Sequence, residues 1–238
     1  MEDWFGFEKE EFDFKGRNAI VVFPKSANSE RNWLLKTEYF GAFPNLQIEM
    51  LNRGWHLAYI ENKHRWCCDE DLILKKEFYD FLIEKYSLNR QFVPVGMSCG
   101  GMFAVKYAAM FPTTVSCLYL DAPVMNLLSC PGDIGVGNSG LYEEFVGKTG
   151  MTMSQLICYR EHPIDKLSVL VENKIPVVIV YGKEDDVVPY SENGAVLEKC
   201  YIQNNLKIKA IGKDGCGHHP HGLEDPNIIA DCIEEFIR

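Results

Sequence analysis

The sequence predicts a three-layer α/β sandwich: a mostly parallel central sheet with helices on both faces, folded as one domain of 238 residues. Three observations carry this. Short β-branched runs alternate with longer stretches of helical periodicity, the pattern left by parallel strands joined through crossover helices. The chain is 47% hydrophobic and 24% charged, the balance of a globular protein and too apolar for disorder. A glycine-flanked serine, Ser98, falls between an apolar run and a helix-like segment, where a strand turns sharply into a helix.

In chain order, residues 4–14 predict leading antiparallel strands closed at Gly16. Strands are then expected at about 19–23, 55–60, 91–95, 115–120, 177–181 and 206–211. Between the second and third of these, residues 69–86 place Leu72, Phe78, Phe81, Leu82 and Tyr86 on roughly one helical face that should pack on the sheet. Asp225 before Pro226 reads as an N-cap with proline in the first turn. Ile228, Ile229, Cys232, Ile233, Phe236 and Ile237 then form the stripe of a terminal docking helix. Residues 123–167 carry no clear strand, are glycine-rich from Gly132 to Gly140, and hold one expected helix near 141–148. An insertion there lies at the carboxyl edge of a parallel sheet, where ligands bind, and is expected to cap the site; the alternative is a long surface excursion.

Charge and composition narrow the function. With 24 basic and 34 acidic side chains the net charge is −10, which repels phosphate polymers and anionic lipid, so nucleic acid is not an expected partner. The longest apolar runs fall short of the roughly 20 residues a membrane helix requires. The acidic start, Met1 to Gly6, does not resemble a secretory signal, and a cytoplasmic location is expected. Nine cysteines, odd in number and without paired metal-type spacing, read as reduced packing residues.

Gly96, Met97, Ser98, Cys99 and Gly100 form G-x-S-x-G in strand–turn–helix context. Small flanking residues permit so sharp a turn, and the following helix N-terminus favours developing negative charge, with the Cys99 N–H as one oxyanion donor. A serine hydroxyl is a weak nucleophile and needs a base oriented by a carboxylate. Carboxylates follow the strand at 177–181 in Glu184, Asp185 and Asp186, and Asp121 ends the strand at 115–120. The base is expected among His218, His219 and His221. Three histidines in four positions also fit a metal, but no matching pair lies at finger-like spacing, and a glycine-flanked base is preferred. His56 and His64 have no partner pattern and read as structural.

On these three segments, residues 96–100, 182–189 and 217–219, the sequence resembles the α/β-hydrolase superfamily over nearly its whole length. The resemblance implies the acid at Asp185 and the base at His218, directly after Gly217, in the chain order Ser98, Asp185, His218. Asp121 is the rival acid, since some relatives supply it from that strand. Residues 217–223 further resemble a branch of mostly uncharacterised bacterial esterase-like or prolyl-oligopeptidase-like hydrolases. In the family the second oxyanion donor follows the first parallel strand, where many relatives carry His-Gly. This chain has Pro24, Lys25, Ser26 and Ala27, and the N–H of Ser26 or Ala27 is the candidate. The stretch Trp33, Lys36, Glu38, Tyr39, Phe40 and Phe43 then reads as a loop whose aromatics pack rather than line a pocket.

The expected chemistry is serine hydrolysis through an acyl-enzyme, of a small or sugar-linked carboxylic ester, with no organic cofactor and no metal. Peptide or thioester cleavage, and a fold relative that binds without turnover, are the alternatives.

Overall fold

The computed structural model describes residues 2–238, and its organising element is a nine-stranded sheet. The strands are β1 (Glu2–Trp4), β2 (Phe7–Phe14), β3 (Arg17–Phe23), β4 (Trp33–Lys36), β5 (His56–Ile60), β6 (Val93–Met97), β7 (Leu118–Asp121), β8 (Val177–Gly182) and β9 (Ile208–Lys213), in spatial order β1-β2-β3-β5-β4-β6-β7-β8-β9. The first three form an antiparallel edge, β3 runs antiparallel to β5, and β5 through β9 with β4 run parallel. All the expected strands are present, displaced by up to three residues.

One strand was not legible. β4 is only Trp-Leu-Leu-Lys, yet it lies between β5 and β6 with all four residues buried. Its side chains alternate across the sheet: Leu34 enters one core, Trp33 and Leu35 the other. Trp33 stacks on Phe92 at 4.4 Å and donates its indole N–H to the Asn89 carbonyl. The run was expected in a loop; instead even the Lys36 ammonium is buried, donating to the Ala42 carbonyl.

Helices cover both faces. α1 (Asn45–Asn52) and α8 (Asn227–Ile237) bury Leu46, Met50, Ile229 and Ile233 against one face. On the other, α2 (Asp69–Tyr86) seats Leu72, Phe78 and Leu82, and α3 (Gly100–Met110) is buried nearly all round. α8 begins two residues after Asp225, whose carboxylate still accepts the Asn227 N–H, and Ile228 faces solvent rather than the core.

The chain between β7 and β8 carries α4 (Tyr142–Thr149), α5 (Met153–Cys158) and α6 (Leu167–Glu172); after β8 come α7 (Gly194–Gln203), β9 and α8. α4 is the helix expected in the insertion; α5 and α6 were not read from sequence. Phe145 and Leu156 turn down into the main core, and Glu144 joins Arg65 and the Trp66 indole on the loop after β5. No helix among the described residues is long and apolar enough to cross a membrane.

Candidate active site

The carboxyl ends of β6, β7 and β8 converge with the loop after β9, and each delivers one polar group. Ser98 follows β6 with φ 51°, a left-handed conformation that costs a non-glycine residue roughly 1–2 kcal/mol. Neighbouring backbone enforces it: the Ser98 N–H donates to the Asp121 carbonyl and the Ser98 carbonyl accepts the Val124 N–H, both at 2.9 Å. Glycines make room. A Cβ on Gly96 would come within 2.8 Å of Ala104 Cβ, and one on Gly101 would overlap the Pro123 ring, so Gly101 matters alongside the two glycines of the motif.

The helix α3 starts immediately after Cys99, whose N–H has no hydrogen-bond acceptor among the described residues and is available to a ligand. Burial pushes the Cys99 thiol up to about 11, so it stays protonated at neutral pH.

Ser98 Oγ lies 3.0 Å from His218 Nε2, and His218 Nδ1 lies 2.8 Å from Asp185 Oδ2. Of the three consecutive acids only Asp185 is buried; Glu184 and Asp186 face solvent. Its second oxygen accepts the Val187 and Val188 N–H groups at 3.0 and 2.8 Å, which fixes the carboxylate plane. The acid and histidine loops are also tied directly. Glu184 N–H donates to the Cys216 carbonyl, and a side chain at Gly182 would strike the carbonyls of Cys216 and Gly217.

Asp121 does not reach His218. It is buried at the end of β7, where its carboxylate meets His221 Nδ1 at 2.8 Å, the Tyr119 hydroxyl at 2.7 Å and the Gly222 N–H at 2.6 Å. Burial works against its charge, but His221, Tyr119 and Gly222 outweigh it and hold the Asp121 carboxyl below its ordinary range.

Ser26 is not part of this assembly. β3 runs antiparallel to β5, so the loop after β3 emerges at the amino edge of the parallel strands, where Ser26 and Asn28 pack against Gly54. The first parallel strand is β4, and its loop enters the site instead. Thr37 Oγ1 donates to the backbone beside the elbow, at Val95 and Gly100. Tyr39 lines the same cavity as Ser98, its hydroxyl beside the Cys99 thiol and the Arg65 guanidinium. Burial first, then Cys99, raises the Tyr39 hydroxyl above its usual range, so it remains a donor.

The cavity has a volume of about 340 Å³. Phe43, Leu141, Val187 and Val188 give it an apolar lining, with Ser98 and His218 on one wall and Cys130, Ser139 and Leu141 contributed by the insertion. The packing expectation thus holds for Trp33 and for Phe40, which lies tilted against Trp4 and Tyr59, whereas Tyr39, packed on the main core, and Phe43 also line the cavity.

No family model and no curated protein matches the sequence. Solved structures do. Puromycin hydrolase superposes with a TM-score of 0.72 at 16% identity over 97% of this chain and 38% of that one. An acylaminoacyl peptidase of Pyrococcus horikoshii gives 0.66 at 14% identity over 89% of this chain, again 38% of its own. MGS-MChE2, an alpha/beta hydrolase from a sediment metagenome of the Mar Chica lagoon, Morocco, gives 0.60 at 18% identity over 95% and 97%. The chain therefore spans less than half the length of the first two proteins and nearly all of the third. A sheet of this order, with its helices and its turn at Ser98, has the α/β-hydrolase fold.

Proposed function

We propose that this protein is a serine hydrolase that works through an acyl-enzyme, with Ser98 as nucleophile, His218 as base and Asp185 as the orienting acid. The observation that carries the reading is the unbroken hydrogen-bonded series Ser98–His218–Asp185 opening on an apolar cavity. In this mechanism His218 Nε2 takes the Ser98 proton as Oγ attacks the carbonyl carbon, and then returns it to the leaving group. Asp185 keeps the proton on Nδ1 and stabilises the imidazolium. The oxyanion is held by the Cys99 N–H and by the β4 loop at Tyr39. Water, activated by the same imidazole, releases the acid.

A small carboxylic ester is the substrate class that suits the site. The volume lies near the lower end for ligand pockets, and the Arg65 charge is taken up by Glu144. The insertion between β7 and β8 acts as a partial cap. Nine free cysteines suit a reducing compartment such as the cytoplasm. A second reading, cleavage of an aminoacyl amide, is supported by the acylaminoacyl peptidases among the similar structures.

A fluorophosphonate probe tests the chemistry: Ser98 should label and Ser98→Ala should not. A protein that stays unlabelled, or labels equally without the hydroxyl, is not a serine hydrolase. Acetyl and butyryl p-nitrophenyl esters assayed beside aminoacyl naphthylamides then separate the two substrate classes.

A further inference from the structure

The histidine loop holds a second arrangement of the same imidazoles. The rings of His218, His219 and His221 are mutual neighbours, with centroids 4.9, 5.0 and 4.9 Å apart. One ligand-capable atom from each lies within 4.8 Å of the other two.

Two of the rings are already held as metal ligands are held. His218 Nδ1 rests on Asp185 and His221 Nδ1 on Asp121, each at 2.8 Å, which leaves the Nε2 atoms as the coordinating positions, that of His218 lying 3.0 Å from Ser98 Oγ. Carboxylate–imidazole pairs of this kind fix the tautomer and raise the basicity of a ligating histidine. His219 is exposed, with its ring stacked on Phe43. Metal–nitrogen bonds of about 2.0–2.1 Å set tetrahedral ligands about 3.4 Å apart, so the three atoms must close by at most roughly 1.4 Å. Rotation of the exposed His219 and departure of His218 Nε2 from Ser98 supply that movement. Two buried carboxylates behind the rings favour a cation, against the single buried ammonium of Lys36 near Asp121.

We propose that His218, His219 and His221 form a reversible site for a divalent transition metal of the Zn2+, Co2+ and Ni2+ class, and that its occupancy switches the serine site off. Imidazole nitrogens suit these ions, and three protein ligands leave one position for water. The metal takes the lone pair on His218 Nε2 that would otherwise accept the Ser98 proton, so the proton stays on Ser98. The inhibitory half of the proposal rests on the serine-hydrolase reading; the binding half does not.

The test uses Co2+, because nine free cysteines offer competing thiolates and a cobalt thiolate announces itself by a strong near-ultraviolet band. Metal-free protein is titrated with Co2+ by absorption and calorimetry while p-nitrophenyl acetate hydrolysis and fluorophosphonate labelling are followed. The expected result is one saturable site with weak visible bands alone. Hydrolysis should fall with the same midpoint and return on adding EDTA. His219→Ala and His221→Ala should each weaken binding at least about 10-fold and move the inhibition midpoint equally, each against its own metal-free rate. Absence of saturable binding, a thiolate band, or an affinity unchanged by His219→Ala overturns the site. Binding that leaves hydrolysis unchanged or raises it overturns the inhibition. Intact binding in a metal-free protein that never labels at Ser98 fails the hydrolase reading alone.

Discussion

His221 and Asp121 form a buried imidazole–carboxylate pair, 2.8 Å between Nδ1 and Oδ1, with the His221 ring centroid 5.0 Å from that of His218. Two Asp–His pairs thus stand side by side, and only the one formed by Asp185 and His218 reaches Ser98.

The two acids should therefore fail differently. Asp185→Asn is expected to lower kcat by about 10⁴, since the wrong imidazole tautomer would face the serine. Asp121→Asn should act mainly on stability, by roughly 3–5 kcal/mol, because it breaks a buried pair that also accepts from Tyr119 and Gly222. Ester turnover and urea unfolding of both variants give the comparison, and the reverse ranking would transfer the acid's role to Asp121.

At the elbow, Ser98→Ala and Ser98→Gly both remove the hydroxyl and differ at the left-handed φ of 51°. Neither should label with fluorophosphonate. The glycine variant should be the more stable by about 1 kcal/mol, because it relieves a conformation that a Cβ resists. Equal thermal midpoints would mean that the turn stores no strain.

Glycines elsewhere provide a contrast in sign. Gly101→Ala forces a methyl into Pro123 and should cost at least about 1–3 kcal/mol while displacing Ser98. Gly147, in α4, has open space around it and an ordinary φ, so Gly147→Ala should stabilise by about 0.5–1 kcal/mol. Chemical denaturation of the two variants checks both directions.

Acid sensitivity should trace in part to His56. Burial, and then the nearby Arg31, lower its pKa from 6.5 to about 4. The unfolded chain binds this proton more readily, so the stability contributed by a neutral His56 is complete above pH 6.5 and is lost as pH falls toward about 4. His56→Leu should flatten the fall in urea midpoint across that window. An unchanged slope would place the acid response in other groups.

Where the sequence could be read, local chemistry decided the matter. The helix α2 has the bounds its apolar spacing predicts, and Ser98 announces itself through a turn that tolerates only small neighbours. What escaped is set by tertiary context. β4 is four residues long and ends in a lysine whose burial depends on a carbonyl six residues on, so no periodicity marks it as a central strand. The strand before it, β3, runs antiparallel and carries the Ser26 loop to the amino edge of the parallel strands. The Asp121–His221 pair joins positions a hundred residues apart, and nothing local in either segment singles out that partner.

The hydrogen bonds that lace Ser98 to Asp121 and Val124 give the molecule a division between fixed and exchangeable parts. Residues 121–124 hold the Ser98 turn and are also the root of the segment proposed above to roof the cavity. A roof of another length or sequence, spliced in beyond residue 126, leaves that seat untouched, whereas a single residue added between Asp121 and Val124 would throw the serine out of register. For the proposed hydrolase, selectivity can therefore be rewritten by grafting roofs onto an unchanged floor.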